Sequence, residues 1–372
     1  MNGILSGRRQ RNGKIEFLRF MFCVIIMMMH SSTFVSEGTK NFFKSRGGLG
    51  VEFFFLVSGY LLAVSVAKAP ALQQGALGQE TQRFLGRKIK ALMPNFLVAW
   101  GIGYLVTMVT YKDFSPMAWV KKIADTLWEP LFLEMAGFGR VRVNGVDWYI
   151  SAMLLAMLFL YPLCRKYFST TIRVTAPLIG IAILGYLFYN CKTTLGVTTY
   201  MNIAYRGTLR AIGMICIGIS CYPLIEWLKK QTLTKFGKIL ITFAEAGIYG
   251  TVLGYMALAD SKTYDFVAIL LITAGVVLSF SHQGLLADKF DNRVCLFLGK
   301  FSLSIYLGHV YWGRLLNKWY PDGEYLELFK VYVLLAIFTA IVIYGISEML
   351  RSKADIIGLH CRRFLIKQEE VK

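Results

Sequence analysis

The chain has 372 residues, of which 56% are hydrophobic and 17% charged, and it carries a formal net charge of +19. Its apolar residues fall into long runs separated by charged ones, which marks a polytopic membrane protein and excludes a soluble globular one. The basic residues are scattered between those runs and form no single stripe with interleaved aromatics, so no nucleic-acid partner is expected and the charge is an orientation signal.

Taken in order, the N-terminal MNGILSGRRQRNGK is basic and leads into apolar sequence without a small-residue cleavage site. It is expected to be a cytoplasmic tail, not a removed signal peptide. A helix needs roughly 17 to 25 apolar residues to cross a bilayer. Ten stretches qualify, centred on residues 17–33, 49–66, 96–110, 148–163, 174–189, 209–225, 239–258, 266–281, 296–316 and 328–350. The expected fold is therefore all-α, a polytopic bundle of about ten transmembrane helices. Residues 1–14 and 351–372 form basic cytoplasmic tails around a membrane domain at 15–350. The stretch 127–138 is interrupted by Glu129, Pro130 and Glu134 and is expected to be interfacial or re-entrant. Ten crossings put both termini on one side. The segments then assigned to the cytoplasm hold 25 Lys and Arg against 15 outside, as the positive-inside rule requires. Both termini are expected in the cytoplasm, with membrane lipids as the surrounding partner.

Seven cysteines (Cys23, Cys164, Cys191, Cys216, Cys221, Cys295, Cys361) stand singly and mostly inside apolar runs. Without CxxC or Cys/His metal spacing they read as small core residues, and no metal is expected. No GxGxxG loop follows a strand in a soluble region.

Ionisable residues inside the spans are costly in lipid and mark function. The first span, IEFLRFMFCVIIMMMH, holds Glu16, Arg19 and His30. Arg19 and His30 are three turns plus about 20° apart and roughly 16 Å along the axis, so they share a face. That face is expected to form one wall of a conduit. Glu52, near the outer start of the second span, comes to a depth similar to that of His30. A carboxylate there would orient the imidazole for general-base work; the other reading leaves Glu52 in the headgroup layer and His30 bonded to a neighbouring helix.

Five stretches, in order, resemble the acyltransferase-3 family of integral membrane O-acyltransferases. IEFLR followed by His30 is similar to the family's R-x10-H start, and GVEFFFLVSGYLL to its second-helix motif, with Glu52, Ser58 and Gly59. FLGRKIKALMP resembles its basic, proline-ended cytoplasmic motif through Arg87, Lys88 and Pro94. NGVDWYIS resembles its Trp-containing outer motif, and FLGKFSLSIYLGHVYW its ninth-helix motif at Gly299, Ser302, Tyr306 and His309. The chain departs from the pattern at Ala91 and Met93, where many members have Arg and an aromatic residue, and at Met153, where many have an acid. Asp147 is then the only acid near that motif.

The resemblance implies transfer of an acyl group, most often acetyl, from cytoplasmic acetyl-CoA to a hydroxyl of an extracytoplasmic polysaccharide or lipid-linked glycan, in what is expected to be a bacterial cytoplasmic membrane. Coenzyme A carries several phosphate charges, so Arg19, Arg87, Lys88 and Lys90 are its expected partners. His30, Glu52 and His309 are the expected catalytic group, His30 either deprotonating the acceptor or carrying the acyl group transiently. Trp148, Asp147 and Arg210 are the expected acceptor contacts.

Each residue also has a plainer reading. His309 would make a structural hydrogen bond mid-span, and the Ser58–Gly59 pair would serve close helix packing more readily than nucleophilic catalysis. Trp148 and Tyr149 would be membrane-belt aromatics before sugar-stacking ones. Arg206 and Arg210 would contact an anionic acceptor or snorkel to the headgroups. His282 and His360 are given no chemistry. Two other functions use the same residue types: the same fold with a succinyl or other donor, and a secondary transporter, which inverted repeats would favour but which the sequence does not show.

Overall fold

A computed structural model describes residues 11–34, 43–112, 114–138 and 142–369, with side chains to residue 353. Most of the basic N-terminal tail, Lys40 and Arg140 lie outside the described residues, as do the side chains of the C-terminal tail beyond residue 353, including His360 and Cys361.

The helices are α1 (Gly13–His30), α2 (Gly50–Ala67), α3 (Leu77–Tyr111), α4 (Pro116–Thr126), α5 (Trp148–Lys166), α6 (Phe168–Thr170), α7 (Ala176–Cys191), α8 (Arg206–Ser220), α9 (Tyr222–Lys229), α10 (Lys235–Leu258), α11 (Asp265–Ser281), α12 (Arg293–Gly308), α13 (Val310–Trp319) and α14 (Tyr325–Glu369). A short hairpin, β1 (Tyr200–Met201) and β2 (Ala204–Tyr205), joins α7 to α8. A π turn at Thr171–Thr175 links α6 to α7. Among the described residues, nine helical stretches are long and apolar enough to span a bilayer, and α11, at 17 residues, is a tenth apolar crossing of shorter length. Each falls on one of the ten stretches read from sequence. Leu178, Ile181, Phe243 and Phe338 are exposed on the outside of the bundle. Large apolar side chains in that position match a surrounding of hydrocarbon and not of water.

Local chemistry fixes where these helices start and stop. The Asn12 side chain caps α1 by accepting from the Ile15 N–H, and the Gly13 N–H donates to Asp291. Lys14 is buried and bonds Glu245 of α10 at 2.7 Å, so the first turn of α1 is tied to the bundle by an ion pair. Arg11 and Arg351 line one cavity, so the start of α1 and residue 351 of α14 lie at the same end of the bundle, here called the near end.

The structure refines three readings. The basic motif at 84–94 is helical: α3 runs unbroken for 35 residues, roughly 52 Å, far beyond a hydrocarbon core of about 30 Å. Good helix formers carry it, and Pro94 removes only one backbone donor, a loss that membrane helices tolerate. The stretch 127–138 forms turns and a 3-10 turn at Glu134–Ala136, and the surface helix is α4, whose Met117, Val120 and Ile123 are exposed. In the ninth span His309 stands at a one-residue interruption between α12 and α13, inside the apolar stretch Arg293–Trp319, so it is mid-span as expected.

The closest helix packing joins α2 to α8. A Cβ on Gly59 would stand 2.1 Å from the Ile215 carbonyl oxygen, and one on Gly218 would stand 2.2 Å from the Leu56 carbonyl oxygen. Backbone meets backbone there, the packing mode that small residues give membrane helices. Gly59→Val should therefore force α2 and α8 apart and lower the melting temperature in detergent, whereas Gly86→Val, which meets nothing within 4 Å and replaces a poor helix former by a slightly better one, should leave it unchanged or slightly raised.

Candidate active site

A cavity of about 1260 Å³ opens at the near end of the bundle. Ligand pockets commonly run from about 300 to 1,000 Å³, so this one has room for a large ligand. Its near part is cationic. Arg19, Arg87, Lys88 and Lys90, the four cations picked from sequence, all line it, together with Lys300 and Arg351. Arg19 makes only a long 3.5 Å contact with Glu16, and its Nε is buried without a partner. Lys88 also lies over the Phe84 ring, 5.5 Å from its centre. Arg351 bonds Glu348, Asn95 and the Ala91 carbonyl, which ties α14 to α3. Sequence reading missed Lys300 and Arg351 because one falls inside an apolar motif and the other at the first turn past an apolar run.

The cavity narrows along α2. Val51, Phe54, Ser58, Leu61 and Ser65 line it at spacings of three and four residues, a single helix face rising about 21 Å. Across from them stand Tyr149 and Met153 of α5 and Tyr306 of α12. Ser58 bonds the Tyr149 hydroxyl at 3.3 Å and the Met153 sulfur at 3.5 Å, so methionine occupies the place where many family members carry an acid. Tyr149 and Tyr306 rings meet edge-on with centres 6.0 Å apart. This corrects the expectation that α1 forms the wall: α1 contributes only Glu16 and Arg19 at the mouth, and α2, α5 and α12 form the passage.

His309 stands beyond Tyr306, their ring centres 6.1 Å apart, and His30 is 5.2 Å from His309. The His309 Nδ1 lies 3.0 Å from the Ile305 carbonyl, which only accepts, so Nδ1 carries a proton and donates. Its Nε2 is buried and has no partner. His30 is half-buried at the last residue of α1, while His309 is wholly buried. The helix break at residue 309 is what lets the α12 side chains face the passage while α13 continues toward the far end.

Glu52 does not stand as the carboxylate beside His30. Its Oε1 accepts from Arg210 Nε and from Thr194 Oγ1, both at 2.6 Å. Arg210 also donates to the Gly48 carbonyl and lies 5.3 Å from the centre of the Trp148 ring. Equal depth is a poor guide to contact because it ignores rotation: Glu52, Leu56 and Gly59 face α8, roughly 150° around the helix from the cavity face. Trp148 is 7% exposed and packs on Arg210 and Phe55, so it is an interior ring and not a membrane-belt one. Tyr149 likewise faces the passage. Arg210, 2% exposed, neither snorkels nor reaches open solvent.

Asp147 is 1% exposed in the loop before α5, within a buried acidic group that includes Glu129 and Glu134. Glu134 makes an ion pair with Arg142 and lies close to the Asp147 carboxyl. Arg142 supports one negative charge on that pair, while burial and like-charge repulsion hold the second proton well above the usual carboxylate range. Glu129 accepts from the Val143 and Asn144 N–H groups, yet burial, then the charge of Asp147, pushes it up to about 8. The same loop is fastened to α12 by Tyr306 donating to the Val146 carbonyl and Asn144 donating to the Leu307 carbonyl.

With this geometry in view, comparison with known proteins gives the class. Residues 12–348 match the family model described as an acyltransferase domain, and the chain belongs to the acyltransferase-3 family. It is 22% identical over 345 residues to a protein of Staphylococcus aureus (strain MRSA252) named "Putative O-acetyltransferase", covering 87% of this chain and 55% of that protein. The chain thus spans about half the length of the curated relative it matches. No solved structure matches it.

Two measurements check this account. Removing one partner of a buried ion pair costs about 3–5 kcal/mol, so Arg210→Ala and Glu52→Ala should each lower stability by that order in denaturant titration in detergent. The buried acids set a pH slope. Glu129 binds a proton in the fold up to about 8 but releases it near 4.5 when unfolded, so the protein loses stability as pH rises between those values and then levels off. Glu129→Gln should flatten that decline in melting temperature between pH 5 and 8.

Proposed function

We propose that the protein transfers an acyl group, in the first instance acetyl, from cytoplasmic acyl-CoA through the membrane to a hydroxyl of an extracytoplasmic glycan. The observation that carries this reading is the large cavity whose mouth gathers Arg19, Arg87, Lys88 and Lys90 and whose lining reaches Tyr306, with His309 and His30 next beyond it. The near end of the bundle is then cytoplasmic and both tails lie on that side, consistent with the Lys and Arg distribution.

The donor set fits a polyphosphate nucleotide. Guanidinium and ammonium groups outnumber acids at the mouth, and Arg19 keeps a buried Nε without a partner. Bound there, acetyl-CoA supplies an acyl group activated as a thioester. The narrow part, lined by Phe54, Leu61, Ser58 and the tyrosines, suits a long and only modestly polar arm. At the far end His30 takes the proton of the acceptor hydroxyl as general base. His309, held with Nδ1–H on the Ile305 carbonyl, presents Nε2 toward the interior and positions or receives that proton. Tyr306, fixed by its bond to Val146, closes the passage between the two sides and limits water. Glu52 and Arg210 act on this site through the packing of α2 and not as a proton relay.

In membranes that insert the variant normally, His30→Ala should abolish O-acetyl signals on surface glycan in proton NMR. Arg19→Ala should raise KM for acetyl-CoA, by tenfold or more if a charge-assisted phosphate contact worth about 1.5–3 kcal/mol is lost. Wild-type acetylation by the His30 variant would overturn the proposal.

A further inference from the structure

A second, smaller cavity lies at the far end of the bundle, with a volume of about 50 Å³. Lys122 of α4, Arg142 of the loop before α5 and Arg314 of α13 all line it, together with Tyr311 and the exposed Tyr111. Three cations from three separate elements around so small a space repel one another, and nothing in helix packing requires them to meet. Arg314 is 2.7 Å from the Val143 carbonyl and 2.9 Å from the Asn144 carbonyl, bonds that fix its position without neutralising its charge. Arg142 offers only its Nε to Glu134. Lys122 is half-buried and, among the described residues, has no ion-pair partner. The Tyr311 hydroxyl is buried and lacks a hydrogen-bond partner. These are the unspent donors that a bound oxyanion satisfies.

The neighbouring acids do not cancel this charge, although Asp125, one turn along α4, acts on Lys122. Glu129 is pushed up to about 8, and Glu134 with Asp147 holds one proton between two carboxyls. Near neutral pH the cations therefore outnumber the ionised acids around the cavity. The cavity is also close to the proposed chemistry. Gly313, next to Arg314, packs against Thr33 and the His30 carbonyl. One acceptor molecule can reach both.

We propose that Lys122, Arg142 and Arg314 form an oxyanion site at the far end that holds a phosphate or carboxylate group of the acceptor beside the histidine pair. The inference rests on the acyl-transfer reading for the word acceptor, but the site itself does not. Its occupant is a tetrahedral or planar oxyanion carried on the glycan or its lipid carrier, with the ring of Tyr111 at the rim. The same chemistry is offered by an anionic lipid headgroup, and the experiment separates the two.

The test uses the full chain in nanodiscs of phosphatidylcholine, with inorganic phosphate as the probe, titrated by calorimetry. Wild type should bind phosphate saturably. Lys122→Glu should weaken binding tenfold or more, and Lys122→Arg should restore it. His30→Ala should leave phosphate binding unchanged while abolishing acyl transfer, so the site and the catalytic reading fail separately. In the transfer assay, a glycan bearing phosphate or carboxylate groups should show a KM at least tenfold below that of its neutral counterpart, with the difference lost in Lys122→Glu. No saturable binding, or equal binding by wild type and Lys122→Glu in a protein of unchanged melting temperature, would overturn the site. Loss of phosphate binding in nanodiscs containing phosphatidylglycerol, with no difference between charged and neutral glycan, would overturn the acceptor assignment and leave a lipid-headgroup site.

Discussion

The buried pair of Glu52 and Arg210 sets the geometry on which the proposed reaction path depends. Two opposite charges at 2.6 Å, both nearly inaccessible, are stable only if geometry and hydrogen bonding are both satisfied. Thr194 and the Gly48 carbonyl supply the extra bonds, and the Trp148 ring covers the guanidinium. Because Glu52 is locked toward α8, the opposite face of α2 must look into the cavity. Gly59 and Gly218 then let the two backbones touch, so the rotation of α2 is fixed at two heights. A rotation of one residue in α2 would replace the row from Val51 to Ser65 with side chains such as Phe55 and Leu62 that are now buried in helix packing.

The second organising feature is the break at His309. A continuous helix would spread Tyr306, His309 and Arg314 around one cylinder. Beyond the break, Gly313 of α13 lies against Thr33, just past His30, and Arg314 holds the loop before α5. That loop in turn receives the Tyr306 hydroxyl. Histidine pair, tyrosine passage and far-side loop are thus one hydrogen-bonded and packed unit, and the loop's buried acids make its charge state part of its stability. The near and far ends have different electrostatics for different work: a wide cationic mouth at one end, and a small cationic pocket with suppressed acids at the other.

Much of the fold was legible in the sequence because a membrane imposes a length on every crossing. Each of the ten apolar stretches became a helix, nine of them among the described residues long and apolar enough to span a bilayer, and the four cations chosen for acyl-CoA came to line one cavity. Polar placement was less legible. The pairing of Glu52 with His30 was inferred from depth, and depth along a helix axis carries no information about which neighbour a side chain faces. Trp148 and Tyr149 looked like boundary aromatics because their position is at a span end, yet both point inward. Lys300, Arg351 and the trio around the far cavity left no signal, since each is a single cation in an otherwise apolar or loop stretch.

What the sequence determined by itself, then, was the positions of the apolar helices, the shared face of Arg19 and His30, and the family through its ordered motifs. These follow from hydrophobic length and helical period, which are local quantities. Only the tertiary structure decided that His30 meets His309, that Glu52 meets Arg210, and that α2 and not α1 walls the passage. Those contacts depend on the rotation of each helix about its axis and on which helices are neighbours. Lipid is nearly as apolar as any helix surface, so hydrophobicity cannot select the rotation, and close glycine packing and buried polar pairs do so instead.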